Sequence, residues 1–215
     1  MNPQLIPALI AVAIILLVGF PVHEFSHALA ADRLGDRTAR YLGRLSLNPR
    51  VHFDPLGAGL LVLSAISGGI FIGWAKPTPV NPSNLEGGHR GEAIVAAAGP
   101  VSNLIMAAIV AIPVRAVLAV GLLDPYSEPQ RTLLLVLLFL VEINVFLFIF
   151  NLIPIPPLDG YRVLLGVVSP RTAWQLRQYE RYGLLLIVVI FLVGGRIIGP
   201  IGTTIANFLV GQPIF

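Results

Sequence analysis

His23, Glu24 and His27 stand as H-E-F-S-H inside the stretch VGFPVHEFSHALAADRLG, residues 18–35. On an α-helix, positions i and i+4 share a face, so the two imidazoles can reach one metal ion while the glutamate sits beside it. That is the H-E-x-x-H arrangement in which two histidines bind zinc and the glutamate serves as general base for hydrolysis. The competing reading is a helix end with two interfacial histidines and one snorkelling acid. In so apolar a run that reading is the weaker, because ionisable groups within a membrane are costly and usually functional. A catalytic zinc takes three protein ligands and keeps a fourth position open. With no cysteine in the chain, a thiolate ligand and a disulfide framework are both excluded. The best third candidate is Asp159, in NLIPIPPLDGYR directly after a later apolar run. Against it stands an ordinary helix-terminating loop with an Asp-Gly turn.

The elements that must position these residues are membrane helices. Hydrophobic residues make up 56% of the 215 and charged ones 12%, whereas a soluble domain carries about 25% charged residues. The 18 prolines and 21 glycines fall both between and inside the apolar runs, as membrane helices tolerate. The formal net charge of +3 is modest and its basic residues cluster in particular loops. They read as orientation signals rather than a nucleic-acid surface. The first twenty residues lack a basic n-region and a small-residue cleavage site, so a cleaved signal peptide is not expected.

Apolar runs long enough to span a bilayer in a helix occupy 5–22, 92–120, 132–153 and 183–199, the first continuing as helix to about Leu34. The tail from Ile201 to Phe215 is apolar but short and is expected at the interface. Arg33, Arg37, Arg40, Arg44 and Arg50 follow the first run, and Arg162, Arg171, Arg177 and Arg181 follow the third. The 121–131 loop carries Asp124, Glu128 and only Arg131. By the positive-inside rule the first and third helices both end in the cytoplasm, which puts His23, His27 and Asp159 at similar depth. Residues 35–90 must then begin and end on one side, so the glycine-rich segment 56–75 is expected to re-enter rather than cross, as half-helices or paired strands. The expected fold is an all-α polytopic membrane protein of about four to six transmembrane helices, with a re-entrant or β-hairpin-like segment near residues 40–90. One integral membrane domain is expected over 1–215, with its core at 5–165 and C-terminal helices over 172–215.

H-E-F-S-H at the end of one membrane helix and N-L-I-P-I-P-P-L-D-G at the end of a later one resemble the two signatures of the site-2 protease family of intramembrane zinc metalloproteases. FIGWAKPTPVNP and AAAGPVSN are similar to segments of its short bacterial and archaeal members, and the resemblance covers residues 5–165. It is that of a short form without a PDZ domain or a helix preceding the H-E-x-x-H helix. The resemblance implies one Zn2+ per chain held by His23, His27 and Asp159, with Glu24 as catalytic base. It implies that Asn151 binds substrate backbone or the developing oxyanion. It also implies a prokaryotic inner membrane, an active site near the cytoplasmic side, and a transmembrane protein or peptide as substrate.

Other polar residues read less sharply. Asn103 in AAAGPVSN is expected first as a packing residue, with a hydrogen bond near the site as its alternative. Glu142 and Asn144 are either partners of the site or interhelical hydrogen bonders. His52 and His89 are expected at the surface or the membrane interface, and Trp74 with Lys76 as an interface anchor. Pro21, just before His23, is expected to bend the helix. The partners are the substrate and the bilayer, with no nucleic acid; a homo-oligomer is left open. A metal transporter or metal-binding scaffold could use the same ligands, but neither needs Glu24, and a transporter distributes ionisable groups over several helices.

Overall fold

The computed structural model describes residues 4–67, 73–121, 127–190 and 195–213. Helix α1, Leu5–Arg33, has 29 residues, about 43 Å at 1.5 Å per residue and ample for a hydrocarbon core of about 30 Å. Within it, Ile15–Gly19 winds as a π turn just ahead of Pro21. Proline has no N–H for the carbonyl four residues back, and one wider turn absorbs that loss. This wider turn lies ahead of Pro21, the residue expected to bend the helix. Gly35 ends the helix at φ 98°, a left-handed conformation, and Asp36 N–H closes back on the Ala31 carbonyl at 2.9 Å.

Helix α2 is Pro55–Ser67. Helices α3, His89–Ala119, and α4, Glu128–Asn151, join α1 as the helices long and apolar enough to cross a membrane among the described residues. Three of the expected runs, 5–22, 92–120 and 132–153, lie on these three helices. Described parts of the fourth run, 183–199, lie on α7, Gly183–Val189, and α8, Gly195–Val210, while residues 191–194 lie outside the described residues. Between α4 and α7 lie α5, Asp159–Val167, and α6, Pro170–Arg177. Helix α6 starts at Ser169, whose hydroxyl accepts the Thr172 N–H, with Pro170 at the first helical position.

Helix α1 packs on α4 through Ala8, Ala11, Val12 and Ile15 against Phe139 and Ile143. The tail departs from expectation: Ala206 and Val210 of α8 are buried against Ala107 and Ala111 of α3 and Val141 and Val145 of α4. Small side chains let the helix backbones approach closely, so α8 belongs to the bundle.

The segment after α1 is the irregular part. No strand occurs among the described residues, so the β-hairpin alternative is not found. Pro77, Pro79 and Pro82 deny a ladder its N–H groups. Instead the described start of this segment is helical over the 13 residues of α2. Residues 73–81 run back beside it as an extended strap. A Cβ on Gly57 would lie 2.1 Å from the Trp74 carbonyl oxygen, so only glycine permits this approach. Lys76 N–H donates to the His52 carbonyl at 2.8 Å, joining the two ends of the 52–76 stretch. The remainder of the expected re-entrant segment, 68–72, lies outside the described residues.

Three polar residues hold this region from within. His52, expected at the surface, is 1% exposed, its ring bonded to the Ser46 carbonyl at 2.7 Å. Arg44, read as an orientation charge, is buried and donates to the carbonyls of Lys76 and Pro77. Asp36 is fully buried and accepts from Thr38, from the Asn81 N–H and from the Asn84 amide. Burial alone would push its carboxyl up, but these bonds, that from the Thr38 hydroxyl foremost, hold it below the ordinary carboxylate range.

Candidate functional site

His23 and His27 lie one helical turn apart on α1 with their Nε2 atoms 3.1 Å apart. Asp159 Oδ2 lies 3.3 Å from each. Among the described residues these three form a group whose types suit a metal site, and the structure brings them together across more than 130 positions of sequence. Asp159 opens α5, where a helix start favours negative charge. A Cβ on Gly160 would lie 2.2 Å from the Leu152 carbonyl oxygen, so the glycine of L-D-G lets α5 start against the end of α4.

The donor set fits zinc. His27 Nδ1 donates to the Val95 carbonyl at 2.8 Å, and His23 Nδ1 to Asn103 Oδ1 at 3.2 Å. Both partners are acceptors, which assigns the proton of each neutral ring to Nδ1 and leaves each Nε2 with a bare lone pair. Two ring nitrogens and a carboxylate oxygen then converge, the donor types that zinc takes. At metal–ligand distances of 2.0–2.1 Å, the edge of a tetrahedron is about 3.3–3.4 Å, close to the observed separations.

Glu24 is buried, and one carboxylate oxygen, Oε2, accepts the Thr78 N–H at 2.7 Å. It lines one cavity of about 520 Å³ together with His23, His27 and Asp159. That size suits a few residues of an extended chain. Asn151 lines the same cavity from the last turn of α4, with one amide hydrogen spent on the Leu147 carbonyl at 2.9 Å.

The two other asparagines separate. Asn103, placed first as packing, is 1% exposed and touches His23. Asn144 donates to the Leu140 carbonyl of its own helix and does not line the cavity. Glu142, also on α4, is outside the lining. His89 is exposed as expected, and Trp74 is half exposed while also lining the cavity.

Sequence reasoning missed three features. Gly99 was read only as a small packing residue, yet a Cβ there would sit 2.2 Å from His27 Nε2 and 2.7 Å from His23 Nε2. Helix α3 approaches the ligand pair that closely only with glycine; the G-P step in AAAGPVSN was its one visible signal. Thr78 touches Glu24, and nothing short of the folded chain pairs them. Glu92 is a buried acid lining the cavity from the first turn of α3, 3.6 Å from the Arg177 guanidinium of α6.

Comparison with known proteins follows the same lines. Residues 119–195 match peptidase family M50. YwhC of Bacillus subtilis (strain 168) is 37% identical over 191 residues, covering 87% of this chain and 83% of that protein. Rip2 of Mycolicibacterium smegmatis is 34% identical over 179 residues, 82% of this chain and 64% of Rip2. Rip2 of Mycobacterium tuberculosis (strain ATCC 25618 / H37Rv) is 33% identical over 177 residues, with the same coverage of 82% and 64%. Each bears the name "Putative zinc metalloprotease". No solved structure gives a significant match.

Proposed function

Because the chain belongs to peptidase family M50 and is a zinc metalloprotease of the membrane, we propose that it hydrolyses peptide bonds within or near transmembrane segments of other proteins. His23, His27 and Asp159 hold the zinc and Glu24 is the general base. The observation that carries this reading is the convergence of those three donor atoms within 4.8 Å of one another, with Glu24 lining the same cavity.

When bound, zinc supplies a Lewis acid that lowers the pKa of water toward about 7 and polarises the scissile carbonyl. Glu24 takes the proton of the attacking water and passes it to the leaving amine. Val95 and Asn103 hold the imidazoles in the tautomer that presents Nε2. The second amide hydrogen of Asn151 is available to a substrate carbonyl or its developing oxyanion.

A transmembrane helix hides its carbonyls in internal bonds and must unwind before attack. The stretch 73–76 is the part of the strap suited to pair with an unwound segment by strand addition, because prolines interrupt the donors from Pro77 onward. The joined ends of the 52–76 stretch support a re-entrant path for α2. The arginines after α1 and α4 support a cytoplasmic position for the site in a prokaryotic inner membrane.

The test is Glu24→Gln in purified protein with a model transmembrane substrate. Zinc is retained and cleavage abolished; undiminished cleavage would sink the reading. Asp159→Ala in the same assay lowers zinc stoichiometry, and full zinc content would show the third ligand to be misassigned.

A further inference from the structure

The H-E-x-x-H spacing sets the position of the Glu24 Cα, but the side-chain torsions remain free to choose among rotamers. In the structure the carboxylate is held from outside its helix. The Thr78 peptide N–H donates to Glu24 Oε2 at 2.7 Å, and the Thr78 hydroxyl donates to the Glu24 main-chain carbonyl at 3.0 Å. The strap is itself pinned on both sides of Thr78. Before it, Arg44 donates to the carbonyls of Lys76 and Pro77, each at 2.8 Å. After it, the Asn81 N–H reaches Asp36 Oδ2 at 2.7 Å. Pro77 and Pro79 flank Thr78 and restrict the backbone that presents its N–H. An N–H bound to a carboxylate is charge-assisted, short and strong, and both partners here are buried.

We infer that Thr78 is a positioning residue: its peptide N–H fixes the Glu24 carboxylate through Oε2 and leaves Oε1 to take the proton, with Arg44 setting the register of the strap. This rests on the reading of Glu24 as the base. The step balances simply. A water O–H bond breaks, its oxygen bonds to the carbonyl carbon, and the proton goes to Oε1. As the C–N bond breaks, that proton goes to the amine nitrogen. A base held by one oxygen keeps the other at a constant distance from the water, which is where positioned groups gain their rate.

The experiment uses the full chain, zinc-loaded in detergent, with a model transmembrane peptide. Thr78→Ala removes the hydroxyl and keeps the N–H. Thr78→Pro removes both, at a site already between prolines. Thr78→Pro lowers kcat about 100-fold below Thr78→Ala, with KM and zinc per chain unchanged. Equal kcat in the two variants, or a loss carried by KM or by zinc content, overturns the inference. Arg44→Ala, which leaves Thr78 intact, lowers kcat about tenfold with zinc retained; wild-type kcat there also overturns it. Glu24→Gln is run in parallel. If Glu24→Gln cleaves, the reading of the base itself fails. If it is inactive while Thr78→Pro matches Thr78→Ala, only the positioning role fails.

Discussion

The two sides of the cavity are built by different means. On the ligand side, α3 and α5 come so close to their neighbours that glycine is required: Gly99 against His27 and His23, Gly160 against the carbonyl oxygens of Leu152 and Ile153. On the strap side, buried polar side chains reach for the main chain: Arg44, Asp36 and Glu24 each accept from or donate to backbone groups of residues 76–81. Steric contact between helices rises steeply with displacement, so the ligand side is rigid. Hydrogen bonds bend and lengthen at lower cost, so beyond the glycine contact of Gly57 with Trp74 the stretch 76–81 is held more softly.

The sharpest way to break this contrast is Gly99→Ala. Its Cβ would occupy space beside both Nε2 atoms, so zinc content falls and kcat/KM drops by about 100-fold or more, measured by metal analysis and peptide cleavage. Retained zinc would show that α3 can retreat and that the ligand side is less rigid than its contacts imply. Gly160→Ala comes next. It pushes α5 from the end of α4, lowering stability by about 1–3 kcal/mol in thermal unfolding and weakening zinc through Asp159. The asparagines then sharpen the comparison within the ligand side. Asn103→Ala loosens His23 and weakens zinc affinity about 10–100-fold in chelator competition. Asn144→Ala leaves zinc affinity unchanged, because its side chain serves its own helix.

The smallest effect belongs to the strap side. The Asp36 carboxyl is held below its ordinary value in the folded chain. Its contribution is therefore fully present above the unfolded pKa of about 3.9 and is lost as pH falls through the folded value. Asp36→Asn removes that part of the acid dependence, read as a flatter fall in melting temperature below about pH 4. An unchanged slope would place the acid sensitivity elsewhere.

Legibility followed sequence distance. The runs over 5–22, 92–120 and 132–153 were readable because a bilayer demands length and apolarity of each helix by itself. The glycine-rich run at 56–75 was set apart from them as re-entrant, and its residues 68–72 lie outside the described residues. The docking of α8 was not readable, because small residues on α3 receive it and periodicity in the tail does not show them. The burial of His52 and of Arg44 went unread for a related reason. Ordinary polar residues in a loop carry no mark of the carbonyls they will meet.

What the chain determined locally is the ligand pair and the base: i and i+4 share a face in any helix that His23 and His27 enter, and Glu24 lies beside them. The PPLDG sequence also marked Asp159 as the carboxylate to complete them. Only the tertiary structure decided what holds each group in place. Asn103 lies 80 residues from His23, Val95 lies 68 from His27, and Thr78 lies 54 from Glu24. Those contacts depend on where α3 and the strap come to rest, set by close packing at Gly99 and by proline-restricted backbone around Thr78. Neither property shows in the spacing of the residues they serve.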